Sequence, residues 1–228
     1  MDNCYVQELC TMCNTEECND SCFTYKFYNR ILAQSQLPKK LQQADKIRLI
    51  PDDEDLEAFR KLARIRDDIV DFVAQGKDLY IYSGDVGTGK TTWAAKLLVE
   101  YFKCMDCRHK PGAYVNVTDL CSRYKNRFLS EEKDPELLDF IQLLREADLV
   151  IWDDMGAMEK YTDSDRALLF GILDSRINNG LSNIYTSNIH PSRLDSKVGI
   201  RLADRIVRLS IRVRFEGYSH RTNGEEEV

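Results

Sequence analysis

The sequence has no apolar run approaching the length of a membrane span, and its opening residues, MDNCYVQELC, have no signal-peptide character. Those absences argue against a membrane-embedded or secreted chain and make the cytoplasm the expected location. Positive charge is not in excess either: 32 Lys and Arg stand against 38 Asp and Glu, a net charge of −6. A general polyanion binder is thereby excluded, and any nucleic-acid contact is confined to a local basic patch. There are no internal repeats and no low-complexity tracts. What is present is ordinary for a soluble globular chain: 228 residues, 43% apolar and 31% charged. That length suits one domain of usual size with a small appendage.

Three pieces follow one another along the chain. Residues 1–35 hold a cysteine-rich head and then an aromatic helix, FTYKFYNRILAQS. Residues 36–52, with two prolines and mixed charge, read as a linker. From residue 53 to 228 a helix is followed by alternating strands and helices, the pattern of a mostly parallel sheet. That first helix, DDEDLEAFRKLARIRDDIVDFVAQG, starts with acids and ends at Gly76, with an apolar stripe from Leu56 to Val73. The strand candidates are Asp78–Ser83, AYVNV, DLVIW, NIYTS and LSIRVRF.

The first strand runs into Gly84-Asp85-Val86-Gly87-Thr88-Gly89-Lys90-Thr91-Thr92, which fits G-x-x-x-x-G-K-[ST] without mismatch. The glycines let consecutive backbone N–H groups curl toward phosphate oxygens, and the following helix adds its N-terminal partial charge. Lys90 reaches the β- and γ-phosphates, and the Thr91 hydroxyl ligates Mg²⁺. ATP and Mg²⁺ are therefore the expected cofactors. ADLVIWDDMGA supplies an apolar strand ending in two acids at the place where such sheets put ligand groups. Asp153 is expected to hold Mg²⁺ and Asp154 to polarise the attacking water. Asn188, at the end of NIYTS, is placed to touch the γ-phosphate or that water. Arg201, Arg205 and Arg208 share one face at helical spacing, and one arginine of this patch is a candidate to reach a neighbouring subunit's ATP.

The residues YIYSGDVGTGKTTWAAKLL, ADLVIWDDMGA, GILDSRINNGLSNIYTSN and RLADRIV resemble the DnaC/DnaI-type loaders of replicative helicases, most closely the short forms of phages and prophages of Gram-positive bacteria. The resemblance covers residues 53–221. It implies an α/β fold: an AAA+ P-loop ATPase core with a parallel five-stranded sheet flanked by helices, and no lid domain. It implies Lys90 and Thr91 as Walker A residues, Asp153 and Asp154 as Walker B, Asn188 as sensor 1 and Arg205 as the arginine finger, with Arg221 a weaker match to a second sensor. Many AAA+ chains carry Glu where Asp154 stands, although loaders often keep the second Asp. The implied function is ATP-dependent loading of a ring-shaped replicative helicase hexamer onto single-stranded DNA in a bacterial host's cytoplasm, with self-association on nucleotide binding. DLCSRYKNRFL, with Arg123, Tyr124, Lys125 and Arg127, is where strand contact is expected. A transposition helper ATPase of the related IstB-like type shares the core motifs; such helpers usually lack a cysteine cluster. A nucleotide kinase would need an acceptor pocket and a mobile Arg-rich lid, and no segment reads as one.

Five of the eight cysteines, Cys4, Cys10, Cys13, Cys18 and Cys22, lie in the first 22 residues. Cys4, Cys10, Cys18 and Cys22 can place four thiolates around one Zn²⁺, and metal would supply the folding energy that so short a segment lacks. Cys10, Cys13, Cys18 and Cys22 form an alternative quartet, the resemblance to phage heads favouring the first. An iron–sulfur cluster also takes four cysteines. Cys104 and Cys107 stand apart from any full ligand set, and Cys121 reads as core.

Overall fold

A computed structural model describes residues 22–105, 110–129 and 134–217. Five strands, β1 (Asp78–Tyr82), β2 (Ala113–Asn116), β3 (Leu149–Asp153), β4 (Ser182–Ser187) and β5 (Ser210–Arg214), form one sheet in the order β2-β3-β4-β1-β5. Every pairing is parallel. The helices among the described residues are α1 (Phe23–Gln34), α2 (Leu56–Asp67), α3 (Ile69–Ala74), α4 (Lys90–Cys104), α5 (Val117–Leu129), α6 (Pro135–Glu146), α7 (Asp163–Asn178), α8 (Leu194–Val198) and α9 (Ile200–Leu209).

The period of two along each strand separates two cores. Leu79, Ile81, Leu149, Ile151 and Ile184 pack with α1, α2, α3 and α4 on one face. Tyr80, Val150, Trp152 and Tyr185 pack with α5, α6, α7, α8 and α9 on the other. Helices on both faces are what a parallel sheet requires, because neither face is left to water. The expected α/β sheet of five parallel strands is present.

The helix expected to run unbroken to Gly76 is two helices. Asp68, at φ −112° and ψ 29°, leaves the helical region, ending α2 and opening α3. A larger difference lies upstream. Tyr28, Ile31 and Leu32 of α1 and Leu37, Leu41 and Ala44 are buried in the same core as α4. Lys103 of α4 reaches Asp45 Oδ2 at 2.8 Å, and Lys96 donates to the Ile47 carbonyl at 2.5 Å. The stretch read as a linker is thus packed against the body of the domain through short 3₁₀ turns. Its prolines and charges signal a break in regular structure, and they do not reveal three apolar side chains facing one way.

Candidate nucleotide site

The glycine-rich turn sits between β1 and α4. Gly87 and Gly89 have φ of 81° and 90°, the left-handed region where a side chain is strained, so these two positions need glycine. The turn, with Leu49, Asp154 and Asn188, encloses an open pocket of about 420 Å³. Gly87, Thr88, Gly89, Lys90, Thr91 and Thr92 line it. Lys90 is buried, its Nζ donating to the Asp85 carbonyl at 2.8 Å and to Thr88 Oγ1 at 3.1 Å. Leu49, from the stretch before α2, lies against Gly89: a Cβ there would come within 3.5 Å of its methyl.

The carboxylates converge because strand parity places them. Ile151 and Ile184 face α4, so Asp153 and Thr186, two residues on, face it too. Asp153 Oδ1 accepts from Thr91 Oγ1 at 2.7 Å and from Thr186 Oγ1 at 2.6 Å. Its Oδ2 accepts from the Tyr114 hydroxyl at 2.7 Å. Asp154 is a non-glycine residue at φ 58°, and its N–H donates to Thr186 Oγ1 at 3.0 Å. Holding a non-glycine residue there costs about 1 kcal/mol or more, and such strain clusters at functional sites. Asn188 Oδ1 is buried without a hydrogen-bond partner. An acceptor in that state, on a pocket wall beside a carboxylate, suits the O–H of a water.

These groups fit a Mg²⁺-nucleotide. Three features of the cradle match a phosphate: glycines with positive φ, a buried lysine and a helix N-terminus. Thr91 spends its proton on Asp153 and keeps its lone pairs for a cation. Burial, with Asp153 next to it, pushes the Tyr114 phenol well above its usual range, so it remains a donor. Sequence reasoning missed Leu49, Tyr114 and Thr186; none belongs to a spaced motif, and only strand parity offered a hint for the last two.

Other expected residues lie elsewhere. Arg205, on α9, is paired with Asp174 of α7 at 2.8 Å and does not line the pocket. The α9 surface carries it between exposed Arg201 and Arg208, with Leu202, Ala203 and Ile206 turned inward. Arg123 pairs with Asp134 at 3.2 Å, and Lys125 with buried Asp165 at 2.8 Å. Half of the expected strand-contact set is therefore engaged in ion pairs. Cys4, Cys10, Cys13, Cys18 and Arg221 lie outside the described residues, and Cys22 is half-buried just before α1. Cys121 is buried, as expected for core. Among the described residues no cluster of His, Cys, Asp and Glu is able to hold a metal, and no helix is long and apolar enough to cross a membrane.

Solved structures of similar fold include a DnaC helicase loader, 25% identical, with a TM-score of 0.63 over 78% of this chain and 100% of that one. The chain is built like a DnaC/DnaI-type helicase loader. A DnaI structure is 23% identical, with a TM-score of 0.60 over 82% of this chain and 95% of its own. The replication initiator DnaA bound to AMPPCP and single-stranded DNA is 20% identical, with a TM-score of 0.61; the match covers 80% of this chain and 52% of DnaA. No family model matches the sequence, and no curated protein does. These three similar folds are those of a helicase loader, DnaI and a replication initiator, the last bound to a nucleotide analogue. No likeness singles out phage or Gram-positive forms.

Proposed function

We propose that the chain is an ATP-dependent loader that places a hexameric replicative helicase on single-stranded DNA. The observation that carries this is the convergence of Lys90, Thr91, Asp154 and Asn188 on one pocket, with Asp153 bonded to Thr91 behind it, in a loader-like fold. Lys90 would neutralise the β- and γ-phosphates, the Gly87–Thr91 backbone would donate to them, and Thr91 and Asp153 would hold Mg²⁺, which offsets charge developing on the phosphoryl group. Asp154 would accept a proton from the attacking water while Asn188 Oδ1 orients it. Arg205, on an outer helix, would act on the nucleotide of an adjoining copy, so that ATP favours assembly of loaders and hydrolysis favours release.

Capture from bacterial cytoplasm tests the reading. The parent protein with ATP should bring down the replicative helicase, and Lys90→Ala should not. Retrieval of a transposase in place of the helicase would overturn it in favour of a transposition helper. For Arg205, the single variants Arg205→Ala and Lys90→Ala should each be inactive, and their mixture should recover part of the turnover; a mixture as inactive as either alone would overturn a shared site. Domain division remains part of the proposal: a zinc-holding head built on Cys4, Cys10, Cys18 and Cys22 that grips the helicase, ahead of the ATPase domain. Elemental analysis should find about one zinc per chain. Metal-free, folded protein would end that part.

A further inference from the structure

We propose that Tyr114 is a positioning residue for Asp153, setting which acceptor site of that carboxylate is left for metal-bound water. The proposal rests on the nucleotide reading of the site. A carboxylate offers about four acceptor positions. On Asp153, Thr91 and Thr186 take the two on Oδ1, and Tyr114 takes one on Oδ2. One position on Oδ2 remains, and its direction is decided by where the phenol stands.

Two features separate this from ordinary packing. The ring is core: Tyr114 is 8% exposed and packed on the α4 side of the sheet. A phenylalanine would fill that space equally well, so the core has no need of the hydroxyl, whose bond is made to Asp153. The ring is also fixed from behind. The Tyr114 N–H donates to the Ser35 carbonyl at 2.7 Å, and Ser35 is fully buried at the end of α1. Tyr114 pairs with Ile151 in the sheet, two residues before Asp153 on the same face, so the phenol extends along the sheet to the acid. Without it, one oxygen of Asp153 is released while the other stays tied, and the carboxylate is free to turn about that tie.

The test is Tyr114→Phe in the full chain, with ATP turnover followed across a Mg²⁺ titration and melting measured alongside. The half-saturating Mg²⁺ concentration should rise about tenfold, the usual scale for losing a partner of a metal-holding carboxylate. Turnover at saturating Mg²⁺, the KM for ATP there and the melting temperature should stay near the parent's. Thr186→Val, which removes a hydroxyl from the other oxygen, should shift the Mg²⁺ dependence in the same direction. Parental Mg²⁺ dependence in an otherwise active Tyr114→Phe overturns the proposal and leaves the nucleotide site standing. A parent that binds no nucleotide overturns both.

Discussion

Near the start of β1 and β4, Asn183 sits in a network that closes around it; at the far end of the same sheet, Asp153 sits in one that does not. In the first, Arg176 is wholly buried and donates to Asn183 Oδ1 at 2.6 Å, to the Leu144 and Ala147 carbonyls at 2.7 Å, and to the Ser182 carbonyl at 2.5 Å. Asn183 Oδ1 also accepts from Trp152 Nε1, and its Nδ2 donates to Asp78 and to the Leu181 carbonyl, which uses all four of its valences. In the second, Asp153 keeps a lone pair, and in front of it Asn188 Oδ1 has no partner and Asp154 is strained, both on the wall of an open pocket. Both clusters are buried, polar and acidic. Burial of acids therefore does not distinguish a candidate site from a structural cluster; unfilled valences beside an open pocket do.

The sharpest way to break this comparison is to remove one group from each end. Asp154→Asn should leave nucleotide binding in place and lower turnover about 10²–10⁴-fold, the range for losing a proton acceptor, measured by phosphate release. Arg176→Met should do the reverse. It takes a donor from three buried carbonyls and one of two donors from the Asn183 oxygen, so unfolding free energy should fall by about 3–5 kcal/mol in urea titrations, with ATP affinity of the folded fraction little changed. Equal loss of turnover and stability in both variants would erase the distinction.

A finer probe uses acidity. Burial raises the Asp78 carboxyl to about 6, against the pull of Asn183 and Arg176. The folded chain thus holds this proton more tightly than the unfolded chain. Between about pH 4 and 6 the unfolded state binds fewer protons, so Asp78 makes stability fall as pH rises through that window, by an amount on the order of 2–3 kcal/mol. Asp78→Asn keeps an acceptor for Asn183 and should flatten that slope, read from urea midpoints at several pH values. An unchanged slope would mean that Asp78 ionises freely in the fold. The smallest expected effect is at the pocket rim: Leu49→Ala removes apolar contact beside Gly89 and should weaken nucleotide binding about threefold to tenfold, measured by fluorescent-nucleotide titration.

Much of the sheet was legible because its strands are short apolar runs ended by polar groups, each buried on two faces. That Gly87, Gly89, Lys90, Thr91, Asp153 and Asp154 come together was legible because phosphate and metal chemistry would demand those types at those spacings. Tyr114 and Thr186 were not: a hydroxyl within a strand becomes part of a site only when register puts it opposite an acid. The pairing of Arg205 with Asp174 joins two helices 31 positions apart in sequence, which helical periodicity does not report. Asn183 and Arg176 were passed over for the same reason, since their meaning lies in each other.

The packing of residues 23–49 beneath α4 bears on how such chains are assembled from parts. A recombination joint at residue 53, where the alternating pattern begins, would strip Leu37, Leu41, Ala44 and Leu49 from the body, taking with them the partners of Lys96 and Lys103 on α4 and the side chain that lies against Gly89. A joint that keeps this packing whole has to fall before Phe23. In any such exchange α1 and the stretch after it must travel with the body they lean on.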